Sequence, residues 1–394
     1  DAYRHGVKAL ESEKLDFVTD HIGGYGLNAR APGMLYCATG DKRMLSASIN
    51  GLEKLRRLSF MPNGSPTAQG EWTSPKSILF HHENCNFVIF NYWFAWTLME
   101  TGQASYGDDM ERIIYNGLQG ARKNDETAVC YMSYLNQFGT HENWQTMYQP
   151  VGPVLCCFVN ATRGYPEFIR AMCMTDADEN LYFTAYGPID VNFSDKNGVN
   201  MSICIDTQYP FRENISFKVN TSVPTSKKLF FKIPDWCKDF HIEVNGNNII
   251  TQPDKSGFVV IEREWSDDEV SLVLSMKPVV SLCEDVYLKE PLLCVSCGPL
   301  LYSLPLPEKW IVNEAPASLS PIPHPWKSWK IDAIRGGMAY ENGIINLDEC
   351  TAEEERYREY DRTTDKNDVL RLCMPMNFTL KKELVDDPSV IEKI

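Results

Sequence analysis

The spacing of hydrophobic residues changes once along this chain, near residue 180, and that change restricts the folds open to it. Before it, Leu45, Ile49, Leu52, Leu55 and Leu58 recur at helical intervals, as do Met110, Ile113, Ile114 and Leu118. From about Leu181 the period is two. Ile215, Phe217 and Val219 alternate with Ser216, Lys218 and Asn220, and further strand-like runs are Lys228–Ile233, His241–Val244, Gly257–Glu262 and Val270–Met276. Turn text such as Val244-Asn245-Gly246-Asn247 separates them. A helical region followed by an all-β sandwich is therefore expected, an α+β multidomain chain whose 394 residues exceed a single small domain.

The helical part carries a loose repeat. An apolar helix ends at Ala38-Thr39-Gly40-Asp41, a second ends at Glu100-Thr101-Gly102-Gln103, and a polar-faced helix follows each. Gly40 and Gly102 read as helix stops. Paired helices recurring about 60 residues apart suggest a helical toroid or solenoid, although two copies cannot close one. The expected domains are residues 1–175 (helical), 176–305 (β-sandwich) and 306–394 (mixed). The last opens with a proline- and tryptophan-rich connection, Leu304–Trp329, and holds the strand-like Gly343–Leu347 and the charged run Glu353–Glu359, which reads as a solvated helix face.

Composition narrows the ligand class. With 38 basic against 53 acidic residues the net charge is −15, which disfavours nucleic acid and anionic lipid and suits a neutral ligand such as a sugar. The 18 tyrosines and nine tryptophans permit sugar stacking, although most large aromatics simply fill core. Thirteen scattered cysteines are no small disulfide framework. Seven Asn-x-Ser/Thr sequons, at Asn63, Asn160, Asn192, Asn200, Asn214, Asn220 and Asn377, would be glycosylation acceptors in a secreted or lumenal protein. The most apolar run, Phe87–Met99, is too short for a membrane span and contains Asn91. No signal peptide is visible, and the chain opens at Asp1 in helical text, as though an N-terminal portion preceded it.

Chemistry concentrates between Gly70 and Arg163. Glu71, the pair Glu83 and Cys85, and the adjacent Cys156 and Cys157 supply carboxylates and thiols, which can ligate zinc, act as nucleophiles, or both. Glu83 and Cys85 stand two apart, so shared ligation requires a helix end or an irregular turn. Cys156 and Cys157 require a nonhelical stretch if both face one ion, and Pro153 favours one. Spacing alone leaves open two buried thiols or a vicinal disulfide.

Longer motifs add to this. Gly70-Glu71, Glu83-x-Cys85, Tyr106-x-x-x-Met110-Glu111-Arg112-x-x-Tyr115-Asn116-Gly117 and Cys156-Cys157-x-x-Asn160-x-x-Arg163 occur in that order. Asp178-Glu179-Asn180-Leu181-Tyr182, Tyr209-Pro210, Ile233-Pro234-Asp235-Trp236, Val244-Asn245-Gly246, Gly257-Phe258-x-x-Ile261-Glu262-Arg263-Glu264-Trp265 and Gly298-Pro299-Leu300-x-Tyr302 follow. Their order and spacing resemble glycoside hydrolase family 127 and its relatives, the β-L-arabinofuranosidases, over roughly residues 20 to 305. The resemblance implies an (α/α)6 barrel followed by β-sandwich domains, of which this chain would supply about the C-terminal half of the barrel, completed by an N-terminal segment or a second chain.

The resemblance also implies roles. Glu83, Cys85, Cys156 and Cys157 match zinc ligands, Cys156 the nucleophile and Glu71 the general acid/base of a retaining exo-glycosidase acting on terminal β-L-arabinofuranosyl or similar furanosyl residues. Tyr131 matches a tyrosine near the nucleophile, and His21 stands at the interval of a substrate-contacting histidine, although helix capping would serve it equally. His81 and His82 are candidates to support the metal site. The sequence departs from its relatives at Trp72, directly after Glu71, and at Phe158-Val159, so a differently shaped pocket is expected. The competing reading is a noncatalytic carbohydrate-binding or structural relative with a structural zinc or a disulfide at the same cysteines.

Overall fold

The computed structural model describes residues 21–122, 128–135, 155–288 and 291–302, together with the backbone of short strands at 148–149, 308–312, 329–333, 339–341, 344–346 and 380–381. Helices α1 (Ile22–Thr39) and α2 (Lys42–Leu58) form the first antiparallel pair. Gly40 ends α1 in the left-handed conformation (φ 65°), and the Asp41 side chain caps α2 by accepting from the Arg43 N–H (3.0 Å). The buried face of α2 centres on Ala47, Ser48, Gly51, Leu52 and Leu55, leaving Leu45, Ile49 and Leu58 at its margins.

Two short hairpin arms, β1 (Ala68–Gln69) and β2 (Trp72–Thr73), and strand β3 (His82–Glu83) lead into the central helix α3 (Asn84–Thr101). Phe87, Val88, Phe90, Trp93, Phe94 and Leu98 of α3 are buried on all sides because α1, α4 and α5 surround it. Burial of most of its side chains in protein accounts for this apolar run, and no helix among the described residues is long and apolar enough to cross a membrane. Gly102 stops α3 as Gly40 stops α1 (φ 66°). Helix α4 (Ser105–Arg112) passes into a wider π-helical turn, Ile113–Leu118, which buries Ile113, Ile114 and Leu118. Strands β4 (Val129–Cys130), β5 (Met132–Ser133) and β6 (Tyr148–Gln149) precede α5 (Leu155–Ala171).

The period-two region forms an eight-stranded sheet from β7 (Cys173–Thr175), β8 (Leu181–Phe183), β9 (Ile189–Ser194), β10 (Asn200–Thr207), β11 (Asn214–Lys232), β12 (Phe240–Val244), β13 (Asn247–Asn248) and β14 (Phe258–Leu274). Runs that read as separate strands are continuous here. β11 joins 214–220 to 228–232 and β14 joins 258–262 to 270–274, with one shift of register between Asn220 and Thr225. A bulge of this kind bends long strands. Phe217 from one half of β11 meets Phe231 from the other, ring centroids 5.1 Å apart, and Phe183 lies against both. Strands β15 (Pro278–Cys283), β16 (Leu292–Cys297) and β17 (Leu300–Tyr302) form a separate three-stranded sheet. Within the region from 306, Ile344–Asn346 is a strand, in agreement with the sequence, while Glu353–Glu359 lies outside the described residues.

A buried polar knot joins helices to sheet. The Lys232 ammonium, 0% exposed, lies 2.7 Å from Asp108 Oδ1 and 2.9 Å from Glu111 Oε2. Tyr209 O–H (2.6 Å) and the Tyr186 N–H (2.9 Å) donate to Glu111, and the Asp235 N–H to Asp108 (2.8 Å). Burial opposes the ammonium charge, but the two carboxylates outweigh it and hold its pKa above the ordinary value. Beside them a Cβ on Gly107 would sit 2.1 Å from the Thr184 carbonyl oxygen, so only glycine permits this approach.

Candidate active site

Glu71 sits at the tip of the β1–β2 hairpin, whose turn is made by Gly70 at φ 63°. Its backbone carbonyl accepts from the Ile22 N–H (2.9 Å), which ties the hairpin to the start of α1. The side chain is bracketed from both sides. Tyr131 O–H donates to Oε1, and His21 Nε2 lies 3.3 Å from Oε2. His21 Nδ1 accepts the Gly24 N–H (3.1 Å) as the cap of α1, which places the proton of a neutral ring on Nε2, facing Glu71. Capping and site contact, alternatives in the sequence, are thus one conformation. Burial, then the hydrogen bond to Glu71, raise the Tyr131 pKa, so the phenol stays a neutral donor. His81 Nε2 donates to the Gly70 carbonyl (2.8 Å) and braces the turn, and His82 Nδ1 donates to the Pro66 carbonyl (3.0 Å).

The thiols gather where two helices begin. Glu83 is the last residue of β3 and the N-cap of α3, and Cys85 is in the first turn of that helix, which supplies the helix end their spacing requires. Cys156 and Cys157 do not lie in a nonhelical stretch, as expected from the sequence, but in the first turn of α5. The positive dipole ends of both helices thus lie at the cluster, an arrangement that favours thiolate. Cys85 Sγ and Cys157 Sγ are 3.2 Å apart, Cys157 Sγ is 3.7 Å from Glu83 Oε1, and one donor atom from each of Glu83, Cys85, Cys156 and Cys157 lies within 4.8 Å of the others. Glu83, Cys85 and Cys157 are buried, and Cys156 alone is exposed.

This donor set is suited to a borderline divalent cation. Its electrostatics agree. Burial, reinforced by Cys85 and Glu71, pushes the Glu83 carboxyl up to about 9, and burial with Cys85 pushes Cys156 up to about 12. Cys157 is raised by donating to Cys85, whose thiol falls to about 6 because Cys157, then Asn160, hydrogen-bond its thiolate. The cluster by itself thus carries little of the negative charge that its four donors could hold, and Glu83 Oε2 is buried without a hydrogen-bond partner. A divalent cation fits both features. Asn160, which belongs both to the cysteine motif and to a sequon, hydrogen-bonds Cys85. The two groups adjoin: His21, Glu71 and Glu83 also present ligand atoms within 4.8 Å of one another.

Sequence reasoning named every residue of this constellation. It did not foresee that His81 supports Gly70 or that the cysteine pair opens a helix, since both depend on contacts distant in sequence.

Comparison with known proteins follows the same division. The profile of the GH127 β-L-arabinofuranosidase catalytic domain matches residues 24–170, and that of the GH127 middle domain matches residues 180–276. A solved structure described as a glycoside hydrolase is 20% identical, with a TM-score of 0.65 over 72% of this chain and 51% of its own. A GH127 β-L-arabinofuranosidase from Geobacillus stearothermophilus T6 is 19% identical (TM-score 0.60, 74% and 50% covered), and another GH127 β-arabinofuranosidase is 18% identical (0.66, 77% and 52%). No curated protein sequence matches. The chain spans about half the length of these solved relatives. With both profiles in series across the helical and sheet regions, and the fold shared with these structures, the chain belongs to glycoside hydrolase family 127.

Proposed function

We propose that the protein is a retaining exo-glycosidase that releases terminal β-L-arabinofuranosyl, or similar furanosyl, residues from a carbohydrate. The observation that carries this reading is the contact between two different groups: the Glu71 carboxyl, held between Tyr131 and His21, and a thiol cluster whose one exposed member is Cys156. Family membership and the names of the solved relatives support the substrate class.

Cys156 Sγ attacks the anomeric carbon while Glu71 gives its proton to the departing glycosidic oxygen, which forms a glycosyl thioether. Glu71, now a carboxylate, takes a proton from water as the water displaces the sulfur, and two inversions give net retention. Tyr131 and His21 orient Glu71 throughout. Glu83, Cys85, Cys156 and Cys157 would hold zinc, which keeps thiols deprotonated near neutral pH and stabilises sulfur as it leaves. Cys156→Ala should abolish turnover of an aryl β-L-arabinofuranoside without altering the circular dichroism spectrum. Retained turnover would sink the proposal. The competing noncatalytic reading draws on the 3.2 Å approach of Cys85 and Cys157, and a native protein with these thiols oxidised and no stoichiometric zinc would favour it.

The proposal extends to architecture. Residues 1–175 correspond to the C-terminal half of an (α/α)6 barrel, with an N-terminal segment or second chain completing the ring. The exposure of Leu27, Met34 and Leu35 on α1 and of Val159 and Ile169 on α5 supports this. Residues 176–305 correspond to a β-sandwich, supported by the contact of Phe217 with Phe231 across the bend, and 306–394 to a further unit.

A further inference from the structure

A cavity of about 660 Å³ lies beside the β1–β2 hairpin, within the usual range of small-ligand sites. Arg57, Gln69, Trp72, Phe80 and Tyr287 are prominent in its wall. We propose that this cavity binds the leaving-group portion of the substrate, a neutral sugar unit, an inference that rests on the glycosidase reading above.

Three observations carry it. The chemistry of the wall matches a sugar: aromatic rings take the C–H faces of a saccharide, while guanidinium and amide groups take its hydroxyls. Trp72 is 59% exposed and Tyr287 57%, so two large aromatics are kept at the surface around one cavity.

The wall is also built rather than incidental. Tyr287 follows Asp285, whose Oδ1 accepts the N–H groups of Tyr287 (2.9 Å) and Leu288 (3.1 Å) and whose Oδ2 accepts that of Ile78 (2.8 Å). The Val286 N–H donates to the Lys76 carbonyl (2.9 Å), and the Tyr287 ring meets Phe80 edge to face at 5.7 Å. The 285–288 segment is thereby locked onto the segment that leads to Glu83.

Position supplies the last argument. Gln69 and Trp72 are cross-strand partners and stand on one face of the hairpin whose turn holds Glu71. A general acid protonates the oxygen of the departing group, so that group leaves from the side of Glu71; Glu71 is not itself part of the wall, and the link between them is the hairpin, whose Gln69 and Trp72 flank the turn and line the cavity.

The test uses arabinobiose as the probe, titrated against the intrinsic tryptophan fluorescence of the wild type, Trp72→Ala and Tyr287→Ala. Tyr287→Ala keeps the Trp72 reporter and, being exposed, leaves the core intact. A saturable change in the wild type that weakens about tenfold in Tyr287→Ala is expected. In turnover, kcat/KM for an arabinofuranosyl disaccharide relative to that for an aryl arabinofuranoside should fall about tenfold in both variants. Absence of saturable binding, or an unchanged ratio in both variants, overturns the cavity while leaving the glycosidase reading standing. Loss of that reading appears separately, as a wild type that turns over neither glycoside, and the titration then decides the cavity alone.

Discussion

Two buried clusters of acids, one at the start of α3 and one on α4, are neutralised differently. Asp108 and Glu111 are matched by the Lys232 ammonium, with hydrogen bonds from Tyr186, Tyr209 and Asp235 filling the remaining lone pairs. Glu83, Cys85 and Cys157 are equally buried, but the influences acting most strongly on Glu83 are burial, two thiols and the Glu71 carboxylate. The first cluster is closed on itself and serves the joint between helices and sheet. The second gathers four donors that could hold a cation from outside, which would be the ordinary difference between a structural knot and a metal site.

The contrast can be broken by substitution. If Glu71 transfers protons and does not ligate the metal, as proposed, Glu71→Gln should lower turnover by about 10²–10⁴-fold and leave zinc content, read by mass spectrometry, unchanged. Lys232→Met leaves two carboxylates buried without a counter-charge and should cost about 3–5 kcal/mol in chemical denaturation, again with zinc retained by the folded protein. Adding Glu111→Gln to Lys232→Met should recover part of that loss, and a purely additive double variant would show that the knot is no unit. Glu83→Gln should weaken zinc at least about tenfold in competition with a chelator, with a small effect on the helix–sheet joint. The mildest is Tyr131→Phe, which should lower kcat about tenfold through loss of one hydrogen bond to a charged group. An effect on zinc content instead would place Tyr131 with the metal rather than with Glu71.

The sequence made one cluster far easier to read than the other. Adjacent cysteines, Glu-x-Cys and helix-stopping glycines are local signals, and Gly40, Gly102 and Glu83 sit where local rules place them. Lys232 carries no such signal. It lies at the end of an alternating run, where a lysine reads as an exposed strand end, and its partners are more than one hundred residues away. Cys156 and Cys157 misled for a related reason. Two adjacent side chains need no irregular backbone to share a ligand when they open a helix and their partners come from the start of another. Continuity of β11 and β14 was likewise hidden, because turn-like text at 221–224 is absorbed by a bulge while 263–265 and 267–269 stay paired with β11 on either side of it.

The tight joints of this molecule bear on the selectivity proposed above. The close approach of Gly107 to Thr184, and the two bonds of Asn116 to the Pro299 carbonyl (2.9 Å) and the Leu301 N–H (2.7 Å), leave no slack between the helical region and the strands behind it. The wall bearing Tyr287 is pinned as well, through Asp285 to Ile78 and Val286 to Lys76. If the cavity takes the leaving group as proposed, a wall so held would sort its guests by size, so branching next to the cleaved bond should exclude a substrate more sharply than any change in its charge.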